Sequence, residues 1–191
     1  DVITSVENCI FSRNLAEIGG AICTESSYIK LSNCTFEENR AEDSGAGIYF
    51  SNSKSTLTNC SFYFNSGENG DALACYSHIY PYEIDLTNCI LWDDNYEIWN
   101  RGGSTITISY SNIKGGQASV HGPFEKIVWG IGNIDNDPCL VNPADHDYHL
   151  KSQGGRYDPN SQNWVMDDVT SPCIDAGDSL TAIGYEPYPN G

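Results

Sequence analysis

Three sets of side chains in this sequence are of types that could do chemistry. Asp93 and Asp94 are adjacent carboxylates. Two carboxyl groups held at a fixed separation can hydrolyse a glycosidic bond when the pKa of one of them is raised. The second set is oxygen ligands in loops near the C-terminal end, a donor type that suits calcium, and its candidate members are Asp135, Asp137, Asp175 and Asp178. The third set is the eight cysteines.

Four of the cysteines recur at one position of a repeated segment. The pattern is apolar-x-Asn-Cys-x-apolar, and it occupies residues 6–11, 31–36, 57–62 and 86–91, with a degenerate copy at 108–113. Thiols that occur once in each repeat cannot surround a single metal ion. Free cysteine is also among the most buried residue types. We therefore interpret these four as small side chains that fill a core: Cys9, Cys34, Cys60 and Cys89.

The spacing of the repeat predicts a β-solenoid. Successive repeat cysteines are 25, 26 and 29 residues apart, and self-similarity at such a period is typical of solenoids. Apolar repeat positions are β-branched, aromatic or Cys, and Asn, Ser, Thr and Gly separate them, which favours strands and turns over the helical return of a leucine-rich repeat. The repeated Asn tolerates the left-handed conformation of a sharp corner. Coils stacked about 4.8 Å apart would align a ladder of hydrogen-bonded amides: Asn8, Asn33, Asn59 and Asn88.

Each coil is predicted to contain three short strands. A second corner follows the inward Phe or Leu of each repeat, at Asn14, Asn39, Asn65 and Asn95. A third strand then begins after a glycine, which permits a tight entry turn. The predicted fold is an all-β, right-handed, single-stranded parallel β-helix with three sheets and about five to six coils. Residues 1–115 form the coils, and residues 116–191 form an irregular C-terminal part that packs on or closes the helix in the same domain.

The pattern Asn-Cys-Thr-Phe…Asn…Gly-Gly-Ala-Ile resembles the repeats of bacterial polymorphic outer-membrane proteins and other secreted right-handed β-helix repeat proteins. Residues 133–191 resemble the C-terminal segment of secreted β-helix proteins of environmental bacteria such as planctomycetes. The resemblance implies a secreted protein, extracellular or on the cell surface. Disulfides form in that setting. The predicted pair is Cys139 with Cys173, which both follow proline in irregular segments.

The net charge and the sequence motifs argue against several classes of function. There are 26 acidic and nine basic residues, a net charge of −17, which argues against nucleic acid as a partner. No window approaches the roughly 20 apolar residues of a membrane helix, so membrane insertion is not expected.

Polygalacturonase-like β-helix enzymes combine an adjacent Asp pair with Gly-His-Gly and Arg-Ile-Lys elements, and neither element is in this sequence. Catalysis by Asp93 and Asp94 is therefore not predicted, and the sequence leaves the question of an enzyme open, with the balance against one.

We expect a non-enzymatic extracellular β-helix that serves as a structural or adhesive module. Its partner would be a second copy of itself, since an uncovered coil edge favours head-to-tail stacking into a filament or lateral assembly, or a cell-surface glycan. The alternative is a carbohydrate-active β-helix, either a polysaccharide lyase or a glycoside hydrolase, or a glycan-binding module. No cofactor is expected apart from a structural calcium ion. Aromatic residues could form a face that stacks on sugars: Trp92, Trp99, Trp129 and Trp164.

Overall fold

The chain folds into a parallel β-helix of about five turns, as the sequence predicts. The structure is a computed structural model that describes residues 3–78, 80–158 and 160–181. Each turn contributes one strand to each of three parallel sheets. No helix among the described residues is long and apolar enough to span a membrane.

The strands of each sheet come from successive coils. The first sheet contains β1 (Ile3–Glu7), β5 (Tyr28–Ser32), β9 (Lys54–Thr58), β12 (Glu83–Thr87), β15 (Thr105–Ser109) and β18 (Ile127–Trp129). The second sheet contains β2 (Ile10–Ser12), β6 (Thr35–Glu37), β10 (Ser61–Tyr63), β13 (Ile90–Trp92) and β16 (Asn112–Ile113). The third sheet contains β4 (Ile22–Glu25), β8 (Ile48–Ser51), β11 (Leu73–Ser77), β14 (Ile98–Gly102) and β17 (Val120–His121).

Smaller elements lie outside these three sheets. A parallel pair connects the second and third sheets in the first two coils, β3 (Leu15–Ile18) with β7 (Arg40–Ser44). Two antiparallel hairpins form in the C-terminal part: β19 (Leu140–Asn142) with β20 (Asp147–Leu150), and β21 (Arg156–Asp158) with β22 (Asn163–Val165). The short 3₁₀ turns are Gly116–Ser119, Phe124–Lys126 and Pro143–Asp145.

The core is built from columns of like side chains, because parallel in-register strands place equivalent repeat positions above one another. The rings of Phe11, Phe36 and Phe62 stack with centroids 4.8 and 4.6 Å apart and planes 4° from parallel. Close approach of two coils is required at Gly47, where a Cβ would lie 2.4 Å from the carbonyl oxygen of Ala72. This geometry explains why glycine opens the third strand of that coil.

Asparagine side chains form the first corner. Asn8, Asn33, Asn59 and Asn88 have φ between 52° and 56°, a left-handed conformation that Asn tolerates. Each Nδ2 donates to the Oδ1 of the preceding coil's Asn, at 3.3, 3.1 and 3.1 Å in chain order. In the degenerate fifth repeat Tyr110 occupies the corner with φ 50°. The ladder therefore ends at Asn88, whose Oδ1 accepts the backbone N–H of residue 178 at 2.8 Å.

The second corner differs from the prediction in its fourth member. Asn39 and Asn65 are buried, and each accepts two hydrogen bonds at Oδ1 from the Asn of the preceding coil, one from its backbone N–H and one from its Nδ2. The next residue of this ladder is Asp93, whose Oδ1 accepts from Asn65 N and Nδ2 at 2.7 and 3.2 Å. Asn95, predicted for this place, lies exposed two residues further on. A carboxylate oxygen accepts as an amide oxygen does, so the ladder continues without the expected residue type.

Coil stacking continues past residue 115, where the sequence repeat fades. β17 pairs with β14, β18 pairs with β15, and Ile134 bridges to Asn112. Parallel pairing uses backbone N–H and C=O groups and does not need the Asn-Cys side chains of the repeat. These strands can therefore join the sheets without the repeat pattern in their sequence.

The C-terminal part then runs back over the second sheet. Tyr148 stacks on Tyr63 with centroids 5.1 Å apart, and its hydroxyl donates to Glu38 Oε1 at 2.7 Å.

Candidate functional site

The outer face of the third sheet carries a column of aromatic side chains. Strand register places Cys23, Tyr49, Ala74, Trp99 and His121 side by side along the coils. Their neighbours along each strand, such as Phe50 and Asn100, point inward and are buried, because successive strand residues face opposite sides. The small Ala74 between two large rings leaves a notch in the column.

A cleft of about 190 Å³ lies over this notch. Tyr49 and Trp99 stand on either side of Ala74, two coils apart and therefore about 10 Å from each other at the usual strand spacing. Tyr76, two residues further along β11 and therefore on the same face, lines the same cleft. The cleft thus offers flat apolar rings around a floor that is recessed by the missing side chain.

Polar side chains rim the cleft. Asp43 and Asn69 come from the segments that precede the third sheet, and Asn69 Nδ2 donates to Asp43 Oδ1 at 3.0 Å. Arg101 extends from β14 beside Trp99 and forms no ion pair among the described residues. Hydrogen-bond acceptors and a guanidinium donor therefore face the same space as the aromatic rings.

A second cleft of about 480 Å³ continues along the same face. It shares Asn69, Trp99 and Arg101 with the first and extends to His121 and Pro123. The imidazole of His121 stacks on Trp99 with ring centroids 3.9 Å apart. The two clefts together form a groove across four coils, from Tyr49 to His121, which we call the third-sheet groove; Trp99 lines both clefts.

The electrostatics of the groove follow from its partial burial. Burial raises the pKa of the Tyr49 phenol above its ordinary value, and the nearby Cys23 and Asp43 raise it further. Tyr49 is therefore a neutral hydrogen-bonding group at neutral pH. The rim combines one acidic and one basic side chain, Asp43 and Arg101, which suits a polar ligand more than a strongly charged one.

The adjacent carboxylates proposed as a hydrolase pair face different surroundings. Asp93 is fully buried in the second-corner ladder. Asp94 is exposed and pairs with Lys114, with 3.1 Å between Oδ1 and Nζ. Because neither carboxylate lines the third-sheet groove, the arrangement gives no support to a catalytic pair at these positions.

Three of the four repeat cysteines lie in the core, and Cys9 of the first coil is half-buried against it. Cys34, Cys60 and Cys89 are buried, and each thiol contacts the backbone carbonyl two residues before it, at 3.3 to 3.5 Å. On the third sheet, burial raises the pKa of the Cys75 thiol. Thiols with raised pKa values that are shielded from solvent are chemically inert.

The predicted disulfide between Cys139 and Cys173 is not present, since all eight cysteines are free thiols. Each sulfur contacts other groups. Cys173 Sγ accepts from Asn112 Nδ2 at 3.1 Å, and Cys139 Sγ lies 3.5 Å from the carbonyl oxygen of residue 137.

The four aspartates predicted to bind calcium serve separate loops. Asp135 Oδ1 accepts from Gly115 N, Asp137 Oδ1 from Cys139 N and Asp178 Oδ1 from Leu180 N. Asp175 adopts a left-handed turn with φ 58°. Across the described ranges, no group of three or more His, Cys, Asp or Glu side chains is arranged to hold a metal ion. The geometry therefore does not gather these residues into a site.

The four tryptophans are dispersed. Trp99 is in the third-sheet groove, whereas Trp92 and Trp129 belong to the other two sheets and Trp164 to the last hairpin. Sequence reasoning missed Tyr49, Asp43, Asn69 and Arg101 as members of one site. Aligning the strands that follow Gly45 and Gly70 would have placed Tyr49 and Ala74 in one column, but no glycine precedes the strand of Trp99.

Comparisons with known proteins agree with this architecture. A family model described as right handed beta helix region matches residues 5–121, and one described as disaggregatase related matches residues 93–177. Metabotropic glutamate receptor-like protein Q of Dictyostelium discoideum is 38% identical over 56 residues, which is 29% of this chain. The chain spans 5% of the length of that relative. No solved structure matches the chain.

Proposed function

Because the chain belongs to the right-handed β-helix family, we propose that it is a non-enzymatic, extracellular adhesive module that binds glycans through the third-sheet groove. The β-helix fold and the disaggregatase-related segment are consistent with a structural or adhesive module. Because one fold can carry many functions, the function of this chain must be inferred from its candidate site and not from the fold. The observation that carries it is the notch at Ala74 between Tyr49 and Trp99.

The chemistry of the groove matches a sugar ring. A pyranose has apolar C–H faces that pack on aromatic rings, and hydroxyls at its edge that need donors and acceptors. Tyr49, Tyr76 and Trp99 supply the ring surfaces, while Asp43 and Arg101 supply an acceptor and a donor at the rim. Ligand sites generally combine apolar walls with a few placed polar groups in this way.

The length of the groove favours an oligosaccharide over a single sugar. The two clefts share Trp99 and continue on either side of it. A ligand that fills both would contact the faces of Tyr49 and His121, which lie three coils apart in the column. Affinity should therefore rise with chain length until both clefts are filled.

The test is binding to a panel of neutral and acidic oligosaccharides, followed by calorimetry on the best ligand. Trp99→Ala should weaken binding at least tenfold, since truncating a central aromatic anchor costs about 2 kcal/mol or more. Trp164→Ala is the matched control, because its ring is exposed in the last hairpin away from the groove. Ala74→Leu should also abolish binding by filling the notch.

Three results would contradict the proposal: no binding anywhere on the panel, equal affinity of Trp99→Ala and the parent protein, or equal loss in Trp164→Ala. Cleavage of the bound glycan would instead favour the carbohydrate-active alternative. Fractionation of the source cells tests the extracellular location.

Head-to-tail assembly is a second form of the structural role. Two exposed apolar side chains on the first coil, Ile10 at 71% and Leu15 at 68%, would give a second copy an apolar contact. The opposite end is partly covered, since residues 133–136 hydrogen-bond over Ser111 and Asn112. Sedimentation at high protein concentration tests assembly, and a monomer under all conditions would reject the filament.

A further inference from the structure

Three carboxyl groups are buried together where the fourth coil turns from the second sheet into the third. Asp71, Asp93 and Glu97 are each 0% exposed. Asp93 and Glu97 bound the connection between β13 and β14, and Asp71 lies beside it just before β11. The described ion pairs include none of the three. Buried carboxylates without a cation are costly to ionise.

Backbone amides satisfy part of this cluster. Both oxygens of Asp71 accept, Oδ1 from Gly67 N at 2.8 Å and Oδ2 from Asn95 N at 2.7 Å. Glu97 Oε1 accepts from Asp93 N at 2.8 Å. Two oxygens remain without a partner among the described residues, Asp93 Oδ2 and Glu97 Oε2. A buried acceptor left unpaired is destabilising.

One proton between the two carboxyl groups would satisfy both remaining oxygens, and the hydrogen bond from Asp93 N to Glu97 Oε1 at 2.8 Å holds the two residues together in the same buried cluster. A protonated carboxyl donates, and its ionised neighbour accepts. We propose that Asp93 and Glu97 share a single proton, and that this proton completes the buried second-corner ladder and makes the β13–β14 connection a pH-sensitive joint. The pair would act in this way whether or not the groove binds a glycan.

The surroundings of the pair favour proton retention. Burial, together with the nearby Asp71 carboxyl, raises the pKa of Asp93 to about 8. Burial also raises the pKa of Glu97, and the neighbouring Asp93 carboxyl raises it further. The other titratable group facing the pair is Tyr63, whose own phenol pKa burial raises. Because the two acids interact, the proton belongs to the pair and not to one residue.

The pH dependence has the opposite sign to that of an ordinary paired carboxylate. The folded-state pKa of the pair exceeds the unfolded value of about 4, so the folded state binds one proton more between about pH 4 and pH 8. The contribution to stability is complete below about pH 4, decreases as pH rises and is lost above about pH 8. The equilibrium constant for unfolding should rise by up to tenfold for each pH unit in that window.

Asp93→Asn provides a direct test. Asparagine is the residue that this ladder uses in its other coils, and its neutral amide can accept from Asn65 and donate to Glu97 without a bound proton. Urea denaturation between about pH 5 and pH 9 should show the unfolding constant of the parent protein rising relative to that of Asp93→Asn by up to tenfold per unit. Asp94→Asn is the matched control, because its carboxylate is exposed, and its curve should run parallel to the parent's.

Parallel pH curves for Asp93→Asn and the parent protein would overturn the proposal. Glu97→Gln replaces the other carboxyl group of the pair with a neutral amide. It provides the same test if Asp93→Asn does not fold. The parent protein gives an independent measurement. Its infrared spectrum should retain a carboxylic-acid carbonyl band at about pH 7 that disappears above about pH 8, and absence of this band at pH 7 would also refute the shared proton.

Discussion

Replacing Asn65 with alanine should destabilise the protein more than the same change at Asn59, although both residues belong to amide ladders. Asn65 is 1% exposed. Its Oδ1 accepts from Asn39 N and Nδ2, and its Nδ2 donates to the carbonyl oxygen of Phe36 at 3.0 Å and to Asp93 Oδ1 at 3.2 Å. Truncation therefore removes an amide from a site that water does not reach.

The magnitude follows from the groups left unpaired. The Asn39 backbone N–H and the Phe36 carbonyl oxygen lose the hydrogen-bond partner that Asn65 provides, and each buried group left unsatisfied costs about 1–3 kcal/mol. The expected loss is about 4 kcal/mol. Asn59 is partly exposed, so water replaces its two ladder bonds at a cost of about 1 kcal/mol. Alanine at its φ of 54° adds about 1–2 kcal/mol of backbone strain.

Urea denaturation with equal m-values measures both changes. Asn59→Gly is the informative control, because it removes the ladder amide without left-handed strain and should cost about 1 kcal/mol. If Asn65→Ala and Asn59→Ala cost the same free energy, burial does not set the value of a ladder amide and the reasoning fails.

Two further predictions concern packing and the C-terminal part. Gly47→Ala places its Cβ 2.4 Å from a backbone oxygen and should cost about 2–3 kcal/mol, whereas Gly103→Ala, whose nearest neighbour is 3.8 Å away, should cost under about 1 kcal/mol; thermal melts that show equal losses would contradict the packing account. Tyr148→Ala should expose the segment around the β19–β20 hairpin to limited proteolysis. In the parent protein the same segment should loosen in acid: the Tyr148 hydroxyl lowers the pKa of Glu38, so this contribution is present above about pH 4 and is lost as pH falls below it. Unchanged digestion of the variant, or equal digestion of the parent at both pH values, would contradict the contact.

The sequence predicts the fold well because stacking favours similar residues at equivalent inward and corner positions of successive coils. Stacking Phe36 under Phe62 favours rings at equivalent inward positions. A corner at φ near 54° favours Asn or Gly, although Tyr110 occupies it in the degenerate fifth repeat. These constraints repeat with the coil and are therefore readable. The Asn at each first corner and the Cys beside it are the clearest instances.

The prediction fails where a different residue meets the same constraint. Asp93 replaces Asn in the second ladder because one oxygen acceptor is enough to receive the bonds of Asn65. The pattern of asparagines alone points to Asn95. The predicted end of the coils at residue 115 fails for a related reason. β17 and β18 pair with the coils through backbone groups, and such pairing leaves no side-chain pattern in the sequence.

Substitution at the second corner links the ladder to the groove. Asparagine in three coils keeps the ladder neutral, but Asp93 introduces an ionisable group that must be matched by Glu97, four residues later. Between them, Tyr96 contacts the ring of Trp99, with centroids 5.5 Å apart. A change in protonation at the corner therefore occurs one residue from a side chain that packs on the centre of the groove.

The third-sheet groove could not be read from the repeat, because solvent-facing positions are free of the stacking constraint. The column through Tyr49, Ala74 and Trp99 has a different residue in each coil, and that variation creates both the notch and the rings around it. A column of identical side chains would give a flat ribbon with no recess. In this solenoid the repeated residues build the scaffold, and a binding site can arise only where the repeat permits adjacent coils to differ.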